Sequence, residues 1–249
     1  MGIKEVESMQ GYIDIHSHIL PGVDDGARDM NQTRHMLQLA YQEGIRFMIA
    51  TPHYEIGCSN MEITKLREVF EQVSLEAHKI NKDFQIALGN ELFFSMGIIE
   101  ALQRGEALTI AGTRYILVEF EPNVSYRKIQ ESLHHCVLEG YIPILAHVER
   151  YFCLVEQPNY VEKLIGEGAY IQMNLSSIRG GITNTKANFC KKLLRQELVH
   201  FMGTDSHDTA ARAPHAKETV DYLVKKYGEA SVQQLLWDNP MRMLENKHL

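Results

Sequence analysis

The segment from Tyr12 to Gly26 contains the side chains in this chain that are best suited to binding a metal ion. It begins with an alternating apolar run that predicts a short strand, and the sequence turns polar at His16. His16 and His18 are two positions apart, so an extended backbone presents both imidazoles on one face. Asp24-Asp25-Gly26 follows a Pro-Gly turn signal and adds carboxylates near the same strand end. These residue types indicate a site for divalent cations.

Further metal-binding side chains follow predicted strands along the rest of the chain. Each lies at or near the carboxyl end of its strand, where a parallel sheet collects its functional groups. The predicted ligands are His16, His18, Asp25, His53, Glu91, Glu119, His147, Asp205 and His207. For any one of these residues alone, a hydrogen-bonded structural role is the simpler explanation. Seven strand-end sites of the same chemistry make coincidence improbable, and the pattern therefore favours a metal centre.

The elements that must position these side chains alternate between strand and helix. Strands are predicted over 12–15, 45–50, 84–88, 115–120, 142–146, 169–173 and 198–203. Helices are predicted over 31–43, 61–81, 92–104, 125–138, 160–167, 189–196, 213–227 and 231–237. This alternation predicts an α/β fold with a parallel sheet, either doubly wound or closed as a barrel. The barrel is favoured because its strand ends ring one mouth, where residues distant in sequence can meet.

Composition narrows the class of protein. The chain has 249 residues, 45% hydrophobic content and a formal net charge of −7, so it can form a sizeable core and lacks the basic character of nucleic-acid-binding proteins. The polar start predicts no secretion signal, and no apolar run reaches the roughly 18–20 residues of a membrane helix. We therefore expect an N-terminal extension over 1–11, one barrel domain over 12–249, no membrane insertion and a cytoplasmic location.

The four cysteines, Cys58, Cys136, Cys153 and Cys190, are far apart and form no C-x-x-C pair. This spacing predicts neither a disulfide framework nor a structural zinc site. None of them is followed six positions later by the arginine that a cysteine-based phosphatase would need. Nucleophilic catalysis by a thiolate is therefore not expected.

Taken in order, the ligand motifs resemble those of the polymerase and histidinol phosphatase (PHP) superfamily. The resemblance rests on His16-Ser17-His18, Asp24-Asp25-Gly26, Thr51-Pro52-His53, Glu91, Glu119, His147-Val148-Glu149-Arg150 and Asp205-Ser206-His207. Within the superfamily, the stretch from Ile13 to Gly26 most resembles the metal-dependent bacterial protein-tyrosine phosphatases of capsular and exopolysaccharide systems. The match covers about Tyr12 to Arg212 and keeps the order of the motifs.

The resemblance implies a distorted, TIM-like (β/α)7 barrel that holds three divalent metal ions, with manganese expected and iron or zinc as alternatives. The first implied metal would be bound by His16, His18, Glu91 and Asp205. Glu119 and His147 would bind the second, with Glu91 bridging, and Asp25, His53 and His207 the third. Arg150 and Arg212 match the family's phosphate-contacting arginines. Val148 departs from the pattern, because related sequences usually have proline there.

The implied activity is hydrolysis of phosphotyrosine by a metal-activated hydroxide, with a bacterial tyrosine kinase of capsule or exopolysaccharide biosynthesis as the expected substrate. Two alternatives remain open. The chain could be a small-molecule phosphomonoesterase, such as a histidinol-phosphate phosphatase, or a non-catalytic metal-binding regulatory partner. The full ligand set with both arginines argues against the second alternative. The residues expected to form an aromatic wall for a phosphotyrosine ring are Tyr54, Phe93, Phe94, Tyr151 and Phe152.

Overall fold

A computed structural model describes residues 11–181 and 183–249 of the chain. The expected N-terminal extension, apart from Gly11, lies outside the described residues. The strands are β1 (Tyr12–Ser17), β2 (Ile45–Ala50), β3 (His53–Tyr54), β4 (Gln85–Leu88), β5 (Glu91–Phe93), β6 (Tyr115–Glu119), β7 (Ile142–Leu145), β8 (Tyr170–Asn174) and β9 (Phe201–Gly203).

Helices follow most of the strands. The α-helices are α1 (Met30–Gln42), α2 (Ile63–Ile80), α3 (Ile98–Arg104), α4 (Tyr126–Leu138), α5 (Phe152–Glu156), α6 (Asn159–Gly166), α7 (Thr185–Arg195), α8 (Lys217–Tyr227), α9 (Glu229–Gln233) and α10 (Asn239–Leu244). One turn of π-helix, Gln234–Asp238, connects the last two of them. In the described part of the chain, no helix is both long enough and apolar enough to span a bilayer.

The strands form one curled, parallel arrangement. One sheet has the order β1-β2-β4 and the other the order β3-β5-β6-β7-β8-β9. Only two residues separate β2 from β3, and two separate β4 from β5. Each pair can therefore be described as one strand that is interrupted by two residues. A parallel bridge between Ser17 and Ser206 links β1 to the segment after β9. The α/β class and the parallel sheet predicted from the sequence are confirmed.

Residue alternation in the strands places a row of side chains on each face of the sheet. In β6, Tyr115 and Leu117 pack with Ile144 in one apolar cluster. Ile116 and Val118 belong to a second cluster that contains the apolar faces of the helices. Because side chains in a strand repeat every second residue, Glu119 continues the row of Tyr115 and Leu117. Its carboxylate therefore ends an apolar inner row.

Helix α1 shows how the sequence fixes one surrounding helix. Asp29 caps its start by accepting a hydrogen bond from the backbone N–H of Gln32 at 2.9 Å. Met36, Leu37 and Ala40 are buried on one face, at the spacing expected of an amphipathic helix. The helix ends before Gly44, whose φ of +98° suits glycine and starts the turn into β2.

One predicted element is partly wrong. A helix was expected over 92–104, but Glu91–Phe93 is a strand, and α3 begins only at Ile98. In that strand Glu91, Leu92 and Phe93 pair with Leu117, Val118 and Glu119 of β6. Strand pairing therefore overrides the local helical pattern, and Gly97, with φ +94°, marks the later helix start.

Candidate metal centre

The predicted ligands converge at the carboxyl ends of the strands. His16 lies in β1 and His18 just after it, while His53 and Glu91 begin β3 and β5. Glu119 is the last residue of β6. The remaining members follow strands or lie in the loop after β1: Asp25, His147, Asp205 and His207. The structure therefore brings together residues from nearly the whole chain.

The first group consists of His16, His18, Glu91 and Asp205, all buried, with one candidate ligand atom from each within 4.8 Å of the others. Glu91 Oε2 lies 3.1 Å from His16 Nε2 and 3.2 Å from His18 Nε2. Asp205 Oδ1 lies 3.6 Å from both of these nitrogens. Two imidazoles and two carboxylates facing one point are a suitable donor set for a first-row divalent cation.

The second group shares Glu91 with the first. The Oε1 atom of Glu91 lies 2.7 Å from His147 Nε2, and Glu119 Oε2 lies 3.3 Å from the same nitrogen. His53 approaches from the other side, with Nδ1 3.1 Å from Glu119 Oε1 and 3.2 Å from Glu91 Oε2. Glu91 thus faces His16, His18 and His53 through Oε2 and His147 through Oε1, which is the arrangement a bridging carboxylate needs.

The third group is closer to solvent. Asp25 Oδ1 lies 3.4 Å from His53 Nε2 and 3.2 Å from His207 Nε2. His18 also falls within the same 4.8 Å cluster. The Asp25 side chain is 61% exposed, whereas that of His207 is 2% exposed. His53 has one nitrogen toward this group and one toward the second, so it lies between the two.

In three histidines, the ring nitrogen that points away from the cluster, Nδ1, faces an oxygen that can only accept a hydrogen bond. His18 Nδ1 is 2.7 Å from Asp24 Oδ2, and His16 Nδ1 is 3.3 Å from Gln172 Oε1. His207 Nδ1 is 2.9 Å from the backbone oxygen of Asp205. Each Nδ1 therefore carries the proton in the neutral ring, which leaves the Nε2 lone pair directed at the cluster.

His207 provides the sharpest test of whether this cluster fits a metal. Its Nε2 is buried and makes no hydrogen bond, although Asp25 Oδ1 lies 3.2 Å away, because with the ring proton on Nδ1 both of these atoms can only accept. A buried nitrogen lone pair without a donor costs free energy unless something binds it. The donor set of imidazole and carboxylate around it fits a divalent cation.

Several supporting residues were not assigned from the sequence. Asp24 accepts hydrogen bonds at Oδ2 from the ring of His18 and, at 3.1 Å, from the backbone N–H of His53. Gln172 Oε1 also accepts the backbone N–H of His147 at 2.6 Å. Gln172 Nε2 donates to Asn174, whose amide in turn donates to Asp205 Oδ2 at 2.8 Å.

A sequence signal for the last two residues does exist. Gln172 and Asn174 are polar residues two positions apart in a strand whose other residues are mostly apolar, and both are buried. Two amides on the inner face of a buried strand indicate hydrogen-bonded partners there. Their strand, β8, supplied no predicted ligand, and it contributes these supporting contacts instead.

Two of the candidate ligands have unusual backbone conformations. His147 has a φ of +31° and Asp205 a φ of +52°, both in the left-handed region. Such conformations cost about 1–3 kcal/mol for a residue other than glycine. The backbone N–H of Asp205 donates to His16 O at 2.8 Å, which holds this conformation and ties Asp205 to β1. Three other residues that are not glycine, Ala111, Glu197 and Asn246, also have positive φ, but only His147 and Asp205 belong to the centre, where such strain is typical of functional sites.

The charges in the cluster shift several pKa values. Burial alone would raise the pKa of Glu91, but the neighbouring His16 and His147 lower it well below its usual range. Burial would lower the pKa of His18, yet hydrogen bonds to Asp24 and Glu91 raise it to about 10. In the same way, Glu119 and Glu91 overcome burial and raise the pKa of His147 to about 9. The carboxylates therefore concentrate positive charge at this point of the fold.

Both predicted arginines reach the cluster. Arg150 Nη2 hydrogen-bonds Asp205 Oδ2, and Arg212 Nη2 lies 3.1 Å from Asp205 Oδ1. Arg212 Nη1 is also 3.4 Å from Asp25 Oδ2. The two side chains are 34% and 39% exposed, so they cover the cluster from the solvent side. Two guanidinium groups in this position can contact an anion that enters the mouth.

The predicted aromatic wall is largely wrong. Tyr54, Phe94 and Tyr151 are at most 9% exposed and belong to the core. Tyr151 packs edge-on against Phe120, and its hydroxyl accepts the Phe120 backbone N–H at 3.3 Å. These aromatics pack beneath the loops because their apolar rings complete the core around the strand ends. Phe152 is 60% exposed, and Phe93 is intermediate.

A curled parallel sheet with histidines, carboxylates and two arginines at its strand ends defines a TIM-like α/β protein with a candidate metal centre. The chain belongs to the family described as capsular polysaccharide synthesis, CpsB/CapC, which matches residues 12–245.

Named relatives cover nearly the whole chain. Tyrosine-protein phosphatase CpsB of Streptococcus pneumoniae is 33% identical over 237 residues, covering 93% of this chain and 98% of the relative. Tyrosine-protein phosphatase YwqE of Bacillus subtilis (strain 168) is 32% identical over 235 residues, covering 94% and 92%.

Solved structures agree with this placement. A crystal structure from the pair YwqE of Bacillus subtilis and CpsB of Streptococcus pneumoniae, described as unique metal-dependent tyrosine phosphatases, superposes with a TM-score of 0.87 at 31% identity. It covers 95% of this chain and 96% of that chain. The phosphotriesterase homology protein of Escherichia coli gives a TM-score of 0.58 at 14% identity over 94% of this chain and 98% of that one, a likeness of fold alone.

Proposed function

We propose that this chain is a metal-dependent protein-tyrosine phosphatase. The observation that carries the proposal is the convergence of nine histidine and carboxylate side chains, covered by two arginines, at one end of the sheet. The relatives CpsB and YwqE are named tyrosine-protein phosphatases, which supports the same conclusion. Residues 12–249 would form one domain, a distorted (β/α)7 barrel of the PHP type in which β2 with β3, and β4 with β5, each count as one interrupted strand.

The proposed cofactor is a set of three divalent cations, manganese in the first place and iron or zinc as alternatives. His16, His18, Glu91 and Asp205 would hold the first, and Glu91, Glu119 and His147 the second. The third would be held by Asp25, His53 and His207. Bound cations would supply Lewis acidity and activate water for attack on phosphorus near neutral pH.

The chain's own residues have distinct tasks in this reaction. Arg150 and Arg212 would grip two oxygens of the phosphoryl group and stay charged throughout. Their contacts strengthen as negative charge accumulates on the equatorial oxygens in the transition state. In the structure both arginines contact Asp205, so an entering phosphate would compete with that carboxylate for them.

The proposed substrate is phosphotyrosine in a protein, with a bacterial tyrosine kinase of capsule or exopolysaccharide synthesis as its source. The metal groups are recessed: Glu91 is 1% exposed and His147 1% exposed. A phosphotyrosine side chain is long enough to carry its phosphate to such a site while its backbone stays outside. Phosphoserine is shorter and would hold its phosphate too near the backbone. A cytoplasmic location is part of this proposal.

The first test separates metal from thiol chemistry. Chelation should abolish hydrolysis of a phosphotyrosine peptide, and added manganese should restore it. Alkylation should leave most of the activity, because burial raises the pKa of Cys136 to about 12 and also raises that of Cys190. The pKa of the exposed Cys58 is raised by its hydrogen bond with Glu55. Loss of activity on alkylation, with none on chelation, would refute the mechanism.

The second test concerns substrate class. kcat/KM should be far higher on a phosphotyrosine peptide than on the matched phosphoserine peptide and on histidinol phosphate. Equal values for the two peptides would defeat the tyrosine assignment. A clear preference for histidinol phosphate would instead identify a small-molecule phosphatase on the same barrel.

A further inference from the structure

We propose that a cavity beside the metal centre binds a bulky apolar side chain located a few residues from the phosphotyrosine of a protein substrate. The inference rests on the proposed function and adds a second recognition site to it. The cavity has a volume of about 320 Å³ and lies between the loop after β5 and helix α4. Its apolar walls are Phe94 and Met96 from the loop and Ile98 and Ile99 from the start of α3. Its remaining lining includes Ser132 of α4 and the charged or titratable side chains of Glu100, Lys128, Glu131 and His135.

One residue of the cavity wall is joined to the metal centre by a backbone hydrogen bond. Phe94, which lines it, donates its N–H to the carbonyl oxygen of Glu119 at 3.0 Å. Glu91 and Phe94 are three positions apart on an extended segment, a span of about 10 Å at ~3.3 Å per residue. An extended substrate covers the same distance in about three residues. A phosphotyrosine at the metals would thus place a nearby substrate residue over the cavity.

The rim of the mouth on this side is unusually apolar. Met96 is 86% exposed, Phe152 60% and Ile56 38%. They follow β5, β7 and β3, and these strands lie in one stretch of the sheet with the order β3-β5-β6-β7. The loops also touch one another, because the backbone N–H of Phe152 donates to Pro122 O, in the loop after β6, at 3.0 Å. Large apolar side chains exposed together beside a site mark a surface for a protein partner.

The chemistry of the walls selects the ligand. Phe94 is 8% exposed, so its ring is held in the core and gives this wall a fixed apolar surface, and Lys128 Nζ lies 5.7 Å from the ring centroid. Met96 adds a flexible apolar side chain that adapts to different shapes. These features fit an extended peptide that inserts one large apolar side chain.

The experiment is a positional scan with phosphotyrosine peptides. Each peptide carries phenylalanine or alanine at one of the four positions on either side of the phosphotyrosine, and kcat/KM is measured with the metal-loaded enzyme. At one position, phenylalanine should raise kcat/KM on the order of tenfold over alanine, as filling an apolar pocket does. Ser132→Leu, which fills the cavity, should abolish this preference. Met96→Ala should reduce it severalfold, and at 86% exposure this change does not threaten the fold.

Two controls keep the outcomes apart. Leu138→Ala removes another apolar side chain, 70% exposed, at the far end of α4, and should leave the preference unchanged. The small substrate p-nitrophenyl phosphate should be hydrolysed at nearly the wild-type rate by all three variants. Equal kcat/KM at every position, or a preference that survives in both cavity variants, would overturn the inference and leave the proposed function standing. No turnover of any phosphotyrosine peptide would overturn both.

Discussion

Glu91 contacts candidate ligands of two groups. Its Oε2 lies within 3.2 Å of nitrogens from His16, His18 and His53, and its Oε1 lies 2.7 Å from His147. A buried carboxylate tolerates this position only because the imidazoles around it hold its pKa low. Its removal should therefore affect more than one cation.

Glu91→Ala should lower the metal content by more than one equivalent per chain, because one oxygen faces each of two groups. Asp25→Ala, in the outer group, should remove about one equivalent. Elemental analysis of the purified variants gives the numbers. His134→Ala, on an exposed part of α4, should retain the wild-type content. Full occupancy in the Glu91 variant would show that this residue does not bridge.

Asp24 contacts two candidate ligands, His18 and His53, so we expect it to influence metal binding through them. Asp24→Asn keeps the size of the side chain but replaces the carboxylate that accepts a hydrogen bond from Nδ1 of His18 at 2.7 Å. Metal affinity should fall by roughly 10- to 100-fold, as is typical when such an outer hydrogen bond is lost. Isothermal titration of the metal-free protein measures this.

The matched change Asp29→Asn should bind metal as the wild type does. It makes the same chemical substitution at an exposed helix cap, where asparagine caps as well as aspartate. Equal affinity of Asp24→Asn and Asp29→Asn would mean that the Asp24 carboxylate does not tune His18.

Arg150 and Arg212 are expected to act on the phosphoryl group and not on the fold. Arg150→Ala and Arg212→Ala should each lower kcat on the order of 10²-fold, the usual effect of losing a charged contact that strengthens in the transition state. Metal content and melting temperature should stay near the wild-type values, because both side chains are more than 30% exposed. A normal kcat in either variant would leave that arginine with a surface role only.

At the scale of elements, the meeting of β1 and β9 limits the geometry of the centre. Gly203 ends β9, and a Cβ there would lie 2.8 Å from His16 Cβ. Neither atom can move without its backbone, so a larger residue must push the two strands apart. These strands carry His16 and lead directly to Asp205, two members of one ligand group.

Gly203→Ala should therefore reduce metal occupancy and lower the melting temperature together. Gly166→Ala is the matched control, since its added Cβ would meet nothing within 4 Å and its backbone is helical. In that control, metal occupancy should be unchanged and the melting temperature should be unchanged or slightly higher. Unchanged occupancy in Gly203→Ala would mean that the contact between the strands relaxes without disturbing the ligands.

The elements also show what local sequence patterns can predict. Helices α1 and α4 and strands β2 and β7 lie within one or two residues of their predicted bounds, because their apolar periodicity and end signals agree. The strand Glu91–Phe93 was missed because three residues give no periodicity, and only pairing with β3 and β6 makes them a strand. The short helix α5, after Arg150, was missed for the same lack of length.

At the scale of the whole molecule, the meeting of the candidate ligands could be predicted because polar residues at the ends of apolar strands stand out in the sequence. The supporting contacts could not, since they depend on loop geometry. Asp24 and Asp25 are adjacent residues of the same type, so the sequence does not distinguish their roles. In the structure, Asp24 accepts a hydrogen bond from His18, whereas Asp25 faces His53 and His207. The path of the loop determines where each carboxylate points. That path brings Gly26 so close to His18 that a Cβ on Gly26 would lie 2.1 Å from the His18 carbonyl oxygen.

The charge balance of the assembled centre gives the last prediction, which concerns protons. Carboxylates drawn from several strands raise the pKa of His18 to about 10 and that of His147 to about 9, against an ordinary value of 6.5. At pH 7.5 in the metal-free protein, both rings should therefore be imidazolium ions, each with one proton more than the neutral ring. A cation can bind these nitrogens only after displacing those protons.

Metal binding at pH 7.5 should thus release up to about two protons from these two rings, and affinity should rise with pH until the pKa values are passed. Because folding raises both pKa values, the protonated rings stabilise the metal-free fold fully below pH 6.5. That contribution is lost as pH rises through about 9 to 10, whereas the metal-loaded protein should not show this loss. Calorimetric titration with manganese in two buffers of different ionisation enthalpy counts the protons. A count near zero, the value expected of histidines with ordinary pKa at this pH, would show that the carboxylates do not act on the rings in this way.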